Sequence, residues 1–138
     1  MPRVVIDPGV LVAALLTPAG TPAALLRALL AGRLQVIASP QLLEELAGVL
    51  ARPTFRRYVS VEEAAAYVEA IAHRVELHPD PDEPAQATRD PGDDYLVALA
   101  LAAKAEVLIS GDADLLEADL AVPVLTPRRL LDQLTDPS

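Results

Sequence analysis

Arg3-Val4-Val5-Ile6-Asp7-Pro8-Gly9 opens the chain with three β-branched apolar residues in a row, delivered without alternation to an aspartate. A strand that does not alternate is apolar on both faces, as strands in a helix-covered parallel sheet are. Asp7-Pro8-Gly9 then reads as a turn, and Val10 to Leu16 is apolar and helical in character. The same pattern returns late in the chain, where Glu106 to Ser110 contains Val-Leu-Ile-Ser and runs into Gly111-Asp112-Ala113-Asp114, followed by a helical turn.

Working outward from these two segments, strands and helices alternate. Thr21-Pro22 supplies a cap and a first-turn proline for a helix through Leu30, with Gly32 beyond its end. A strand is predicted at Leu34 to Ala38, and Ser39-Pro40 opens a helix to about Ala51, before Pro53. Ser60 caps a helix over Val61 to His73 whose Ala-rich face carries Tyr67, and Val75 to Leu77 forms a short strand. Pro79 to Gly92 reads as a surface loop, leading into a helix from Asp93 to Lys104. Val122 to Leu125, with a proline that cannot donate to a ladder, reads as an edge strand before a last helix from Pro127 to Leu134. This order predicts one domain over residues 1–138: a three-layer α/β/α sandwich around a parallel sheet of about four to five strands. Ligands in such sheets bind beyond the carboxyl ends of the strands, where Asp7 and Asp112 arrive.

Composition narrows the chemistry. The 138 residues are 52% hydrophobic and 22% charged, too apolar for a disordered chain. Apolar runs nonetheless break well short of the roughly 18 residues that a membrane span needs. No basic segment precedes an apolar stretch near Met1, so a cytoplasmic location and no membrane partner are expected. The absence of cysteine excludes disulfides, thiol catalysis and thiolate metal sites. Any metal must be held by oxygen ligands or by His73 and His78, which read as structural or surface residues. Eleven basic against twenty acidic residues give a net charge of −9, the wrong sign for a sequence-independent nucleic-acid binder. The acids are clustered, however, with Asp80, Asp82, Glu83, Asp90, Asp93 and Asp94 close together, and a bound cation neutralises such a cluster. Arg52, Arg56 and Arg57 follow a predicted helix, and arginine forks suit phosphate oxygens.

Four carboxylates stand out. On the helix after Ser39, Leu42, Leu46 and Val49 define a buried stripe on which Glu45 falls, a costly place for a bare charge. Asp93 precedes Leu96 and Val97 by three and four residues, which puts it on an inward helix edge, with Asp94 slightly less favourable. Asp7 and Asp112 sit at strand ends. Each also has a purely structural explanation: Asp7 closing an Asx-turn, Asp93 or Asp94 and Asp112 or Asp114 capping helices. Gathered at one sheet edge they repel, and hard divalent cations resolve that repulsion.

The residues carrying this pattern resemble the PIN-domain family of metal-dependent ribonucleases, in particular its VapC-like toxin group. The blocks are Val-Val-Ile-Asp7, Ser-Pro-Gln-Leu-Leu-Glu-Glu45-Leu, Arg-Asp-Pro-Gly-Asp93-Asp94 before an Ala-rich helix, and Leu-Ile-Ser-Gly-Asp112-Ala-Asp114-Leu-Leu. The resemblance implies that Asp7, Glu45, Asp93 and Asp112 are catalytic and bind Mg²⁺ or Mn²⁺, that Asp94 and Asp114 occupy further acidic metal positions, and that Ser110 contacts the site. Ser110, Arg52 and Arg56 are expected to bind substrate. It further implies an RNA substrate, an antitoxin partner and a homodimer or higher homo-oligomer. One departure is that Pro8 and Gly9 stand where the family carries Thr or Ser and then Asn, side chains that steady the first aspartate. That departure supports a second reading, a catalytically weak or inactive binding and dimerisation module.

Other strand-Asp enzymes fit less well. A haloacid-dehalogenase-type phosphotransferase needs an acid where Gly9 stands, a response-regulator receiver needs a lysine at a late strand end, and no Gly-rich phosphate loop occurs among six glycines.

Overall fold

The computed structural model describes residues 1–82 and 94–135. Five strands, β1 (Arg3–Ile6), β2 (Gln35–Ala38), β3 (Glu76–Leu77), β4 (Val107–Ile109) and β5 (Val124–Leu125), form one sheet in the order β3-β2-β1-β4-β5. Every pairing is parallel, with Val5 opposite Ile37 on one side and Leu108 on the other. The parallel α/β sandwich read from the strands is therefore what the chain forms. The chain steps outward from β1 to β2 and β3, then crosses back to β4 on the far side of β1. That reversal opens a crevice at the carboxyl ends of β1 and β4, the position where ligands bind in open α/β sheets.

The helices are α1 (Pro8–Leu16), α2 (Thr21–Leu30), α3 (Pro40–Leu50), α4 (Val61–Arg74), α5 (Asp94–Ala102), α6 (Ala113–Glu117) and α7 (Pro127–Thr135). Pro8 and Gly9, expected as a turn, are instead the first helical residues, because Asp7 caps α1 directly. Proline suits that position: its missing N–H would have no helical partner, and its fixed φ is already helical. Ser39 caps α3 through Leu42 N–H, and Asp80 Oδ1 accepts from Gln41 N–H at 3.0 Å. At α4, Ser60 and Glu63 form a reciprocal capping box, with bonds of 3.0 and 3.1 Å. Gly32, at φ 74°, ends α2 in the left-handed conformation that glycine adopts without strain.

One contiguous core fills the space between sheet and helices, with Val4, Val5, Ile37, Leu46, Leu50, Leu99, Leu108 and Ile109 inaccessible to solvent. No single described helix is long and apolar enough to cross a membrane; α1 and α2 are apolar in succession, but they bend by 99° and pack most of their apolar residues against this core, with Leu30 exposed. Two polar links tie the layers together. Arg3 donates to the carbonyls of Ala103 and Lys104 at 2.8 and 3.3 Å and pairs with Glu76. Tyr67 on α4 donates to Leu11 O in α1 at 2.7 Å, and burial pushes its phenol pKa up to about 12.

Candidate active site

β1 and β4 lie side by side and end together, which brings Asp7 beside the Ser110–Asp112 segment. Asp7 N–H donates to Ile109 O at 2.9 Å, locking the two strand ends. The Asp7 carboxylate is held at both oxygens: Oδ1 accepts from Gly9 N–H at 2.9 Å and Oδ2 from the Ser110 hydroxyl at 2.8 Å. Ser110 Oγ in turn accepts from Asp112 N–H at 3.0 Å, and Asp112 Oδ1 accepts from Asp114 N–H at 2.9 Å, capping α6. A continuous hydrogen-bonded chain thus runs from Gly9 through Asp7 and Ser110 to Asp112. Bonds to a charged acceptor are each worth about 1.5–3 kcal/mol, so this chain orients Asp7 firmly.

The arrangement answers the departure at Pro8–Gly9. A backbone N–H and the Ser110 hydroxyl supply the two donors to Asp7, so no polar side chain at positions 8 and 9 is needed to orient it. Ser110, expected to bind substrate, is fully buried, and its hydroxyl is engaged by the Asp7 carboxylate and the Asp112 N–H.

Asp7, Gly9 and Asp112 line a cavity of about 630 Å³ beyond the strand ends, together with Thr21, Thr126 and Arg128. Arg128 donates to Thr21 Oγ1 at 2.9 Å and is the one basic residue among the described lining residues. Sequence reasoning missed these three. Their signal was a repeated Thr-Pro dipeptide, Thr21-Pro22 and Thr126-Pro127, opening two helices that both meet the cavity.

The remaining expected residues are not among the described residues that line this cavity. Glu45 is exposed rather than buried, because the seam of α3 is Leu42, Leu46 and Leu50, with Val49 only partly covered. It accepts a 2.5 Å hydrogen bond from the Tyr95 hydroxyl and is not in the cavity lining. Asp94 is 5% exposed in the first turn of α5, and Asp114 is in the first turn of α6. Asp93, with Glu83 and Asp90, lies outside the described residues. Arg52 and Arg56, expected to bind substrate, are also absent from that lining. Arg56 donates to Leu50 O at the end of α3 and faces a separate, largely alanine-lined cavity between α3 and α4, while Arg52 precedes a 3-10 turn, Pro53–Phe55.

Among the described residues, no three Asp, Glu, His or Cys side chains gather closely enough to enclose a metal ion. Two carboxylates at the mouth of one cavity nevertheless fit Mg²⁺ or Mn²⁺. Mg²⁺ keeps several waters and takes only one or two protein carboxylates plus substrate phosphate oxygens. Asp112 Oδ2 takes no hydrogen bond from the described residues, which leaves that oxygen available as a donor atom.

A model of the PIN-domain family matches residues 3–114, which span both strand ends. The uncharacterised protein MJ1680 of Methanocaldococcus jannaschii is 28% identical over 114 residues, covering 83% of this chain and 73% of that protein. PAE2754 from Pyrobaculum aerophilum superposes with a TM-score of 0.65 at 16% identity, over 97% of this chain and 89% of its own. VapBC2 from Rickettsia felis, solved bound to a DNA fragment from their promoter, gives 0.65 at 13% identity, over 90% of this chain and 98% of that one. The PIN domain of human SMG5 gives 0.51 at 16% identity, over 96% and 98%. At these identities the solved structures establish the shared fold. PIN domains are in general nucleases, hydrolases of phosphodiester bonds. With Asp7 and Asp112 presented from adjacent strands inside the matched span, the chain belongs to the PIN-domain family.

Proposed function

We propose that this chain is a metal-dependent endoribonuclease that hydrolyses RNA phosphodiester bonds at the Asp7–Asp112 cavity. The observation that carries the reading is the hydrogen-bonded chain Gly9–Asp7–Ser110–Asp112. Two carboxylates are held in fixed relation at the strand-order reversal, facing a cavity large enough for a nucleotide. Asp7 and Asp112, with Asp93 as a third carboxylate, would hold Mg²⁺ or Mn²⁺, which when bound polarises a phosphoryl oxygen and lowers the pKa of a coordinated water. The protein's own contribution is preorganisation. Ser110 and Gly9 keep the Asp7 oxygens aimed without side-chain reorganisation during the reaction, and Arg128, in the lining of the same cavity, offers a guanidinium to a phosphate oxygen.

The reading extends to biology as a toxin with a small antitoxin protein as its partner, acting as a homodimer on cytoplasmic RNA. Light scattering of the purified chain, alone and with its partner, tests the assembly.

The deciding experiment is cleavage of a panel of single-stranded and structured RNAs with Mg²⁺, Mn²⁺ or EDTA, by wild type and by Asp7→Asn, Asp93→Asn and Asp112→Asn. Expected are metal-dependent cleavage by wild type and a loss of more than about 100-fold in each folded variant. Cleavage that survives EDTA, or a variant that cuts at full rate, overturns the assignment. A folded wild type that cuts nothing under either metal leaves the inactive binding module as the standing reading.

A further inference from the structure

The cavity that holds Asp7 and Asp112 has a neighbour. Between α2 and α7 lies a second cleft of about 450 Å³, whose lining includes Arg27, Arg33, Arg128 and Asp132 over a floor containing Ala24 and Ala28. Arg128 lines both spaces, so the cleft continues the acid cavity across the surface.

The partners of these arginines are neutral groups. Among the described residues Arg3 alone of the arginines pairs with a carboxylate, Glu76. Arg27 donates instead to Pro18 O at 3.2 Å, Arg33 to Leu134 O at 2.7 Å and Arg128 to Thr21 Oγ1 at 2.9 Å. All three acceptors are neutral oxygens. Among the described residues none of the three pairs with a carboxylate, although Asp132 is in the same lining. All three side chains are exposed. Three like charges that converge on a cleft with small-residue flooring, and keep donors unspent, make a site for a polyanion.

The acid cavity needs such a site. Asp7 and Asp112 repel a phosphodiester wherever no cation screens them, and a cation there acts only at the scissile phosphate, so arginines beside them add affinity for the flanking strand. From Thr21 at the acid cavity to Ala31 in the cleft, ten residues along α2 rise roughly 15 Å, about four stacked nucleotides at ~3.4 Å each. We infer that the Arg27–Arg33–Arg128 cleft is the backbone track of a single-stranded nucleic acid whose scissile phosphate lies at the Asp7–Asp112 cavity. The inference rests on the nuclease reading for the scissile position, while the track itself is a binding site that can be tested without cleavage.

The test is fluorescence anisotropy of an uncleavable 2′-O-methyl RNA 12-mer, and of single-stranded DNA of the same sequence, at several KCl concentrations. Wild type is compared with Arg27→Gln/Arg33→Gln/Arg128→Gln and with a control, Arg57→Gln/Arg74→Gln, whose arginines lie on other surfaces. Each phosphate contact contributes about 0.7 to the slope of log affinity against log salt for single strands. The triple variant should therefore lose about 2 in slope, which is about 100-fold in affinity at 0.1 M salt, while the control keeps the wild-type slope. Tighter binding of the RNA analogue assigns the track to RNA, and tighter binding of DNA assigns it to DNA. An unchanged slope in the triple variant, an equal loss in the control, or no binding by wild type overturns the track. Cleavage by wild type with arginine-independent binding removes the track and keeps the nuclease. Arginine-dependent binding without cleavage does the reverse.

Discussion

Replacing Ser110 by alanine removes one oxygen atom and two hydrogen bonds from the point where β1 and β4 meet. The hydroxyl donates to Asp7 Oδ2 at 2.8 Å and accepts from Asp112 N–H at 3.0 Å, and the residue is inaccessible to solvent. A bond to a carboxylate is worth about 1.5–3 kcal/mol, and Asp7 is half-buried, so water replaces part of it and the low end applies. The orphaned Asp112 N–H adds about 1 kcal/mol, for a total near 2.5 kcal/mol. Alanine keeps the Cβ, so packing adds little. For 138 residues at about 2.1 cal/mol/K each, the unfolding entropy is about 0.29 kcal/mol/K, and the expected fall in Tm is about 8–9 °C. Cleavage should drop about 10- to 100-fold, because Asp7 loses one of the two donors that aim it. Differential scanning calorimetry and the RNA cleavage assay read the two effects separately. In an Asp7→Asn background the same substitution should cost about 1 kcal/mol less, since the charge-assisted bond is already gone. A Tm within about 2 °C of wild type, with cleavage unchanged, refutes the claim that this hydroxyl couples the strand ends.

Two further expectations concern the scaffold. Tyr67→Phe should cost about 1 kcal/mol at neutral pH, by loss of the bond to Leu11 O. Burial raises the folded phenol pKa to about 12 from 10.0, so the wild-type contribution is complete below pH 10 and is lost as pH rises toward 12. Urea unfolding from pH 8 to 11.5 should show a steeper alkaline decline in wild type than in the variant, and parallel declines would refute the assignment. Ser60→Ala should cost about 1 kcal/mol by opening the capping box of α4, visible as a lower urea midpoint at unchanged m. The backbone and then the side chain of Ser60 hold the Glu63 carboxyl below its usual 4.5, so its contribution is present above pH 4.5 and lost as pH falls through the lower folded value. Glu63→Gln should accordingly show a shallower acid decline than wild type in the same titration.

How much was legible in the sequence depended on the range of the interaction involved. Non-alternating Val-Val-Ile and Val-Leu-Ile read correctly as buried parallel strands, because a strand covered on both faces needs apolar residues at every position. The aspartates that follow them were legible as strand-end residues for the same local reason. Glu45 was misread because α3 carries apolar residues at Leu42, Leu43, Leu46, Val49 and Leu50, so two overlapping stripes of helical spacing were available. Packing chose the one ending at Leu50, which left Glu45 exposed, with its carboxylate on the hydroxyl of the buried Tyr95. Arg52 and Arg56 drew attention by adjacency in the chain, yet the end of α3 and the α3–α4 cavity claimed Arg56.

By itself, then, the sequence determined the local elements, the parallel α/β class and the two strand-end carboxylates, since each is written in residues within a few positions of one another. The tertiary structure alone decided that Ser110 joins Asp7 to Asp112 and that Arg128, Thr21 and Thr126 line the same cavity. It also decided that Arg27 and Arg33 extend the arginine surface from there. Those neighbours are set by the strand order β3-β2-β1-β4-β5 and by the packing of α7 on α2, contacts across roughly a hundred residues of chain that no local pattern encodes.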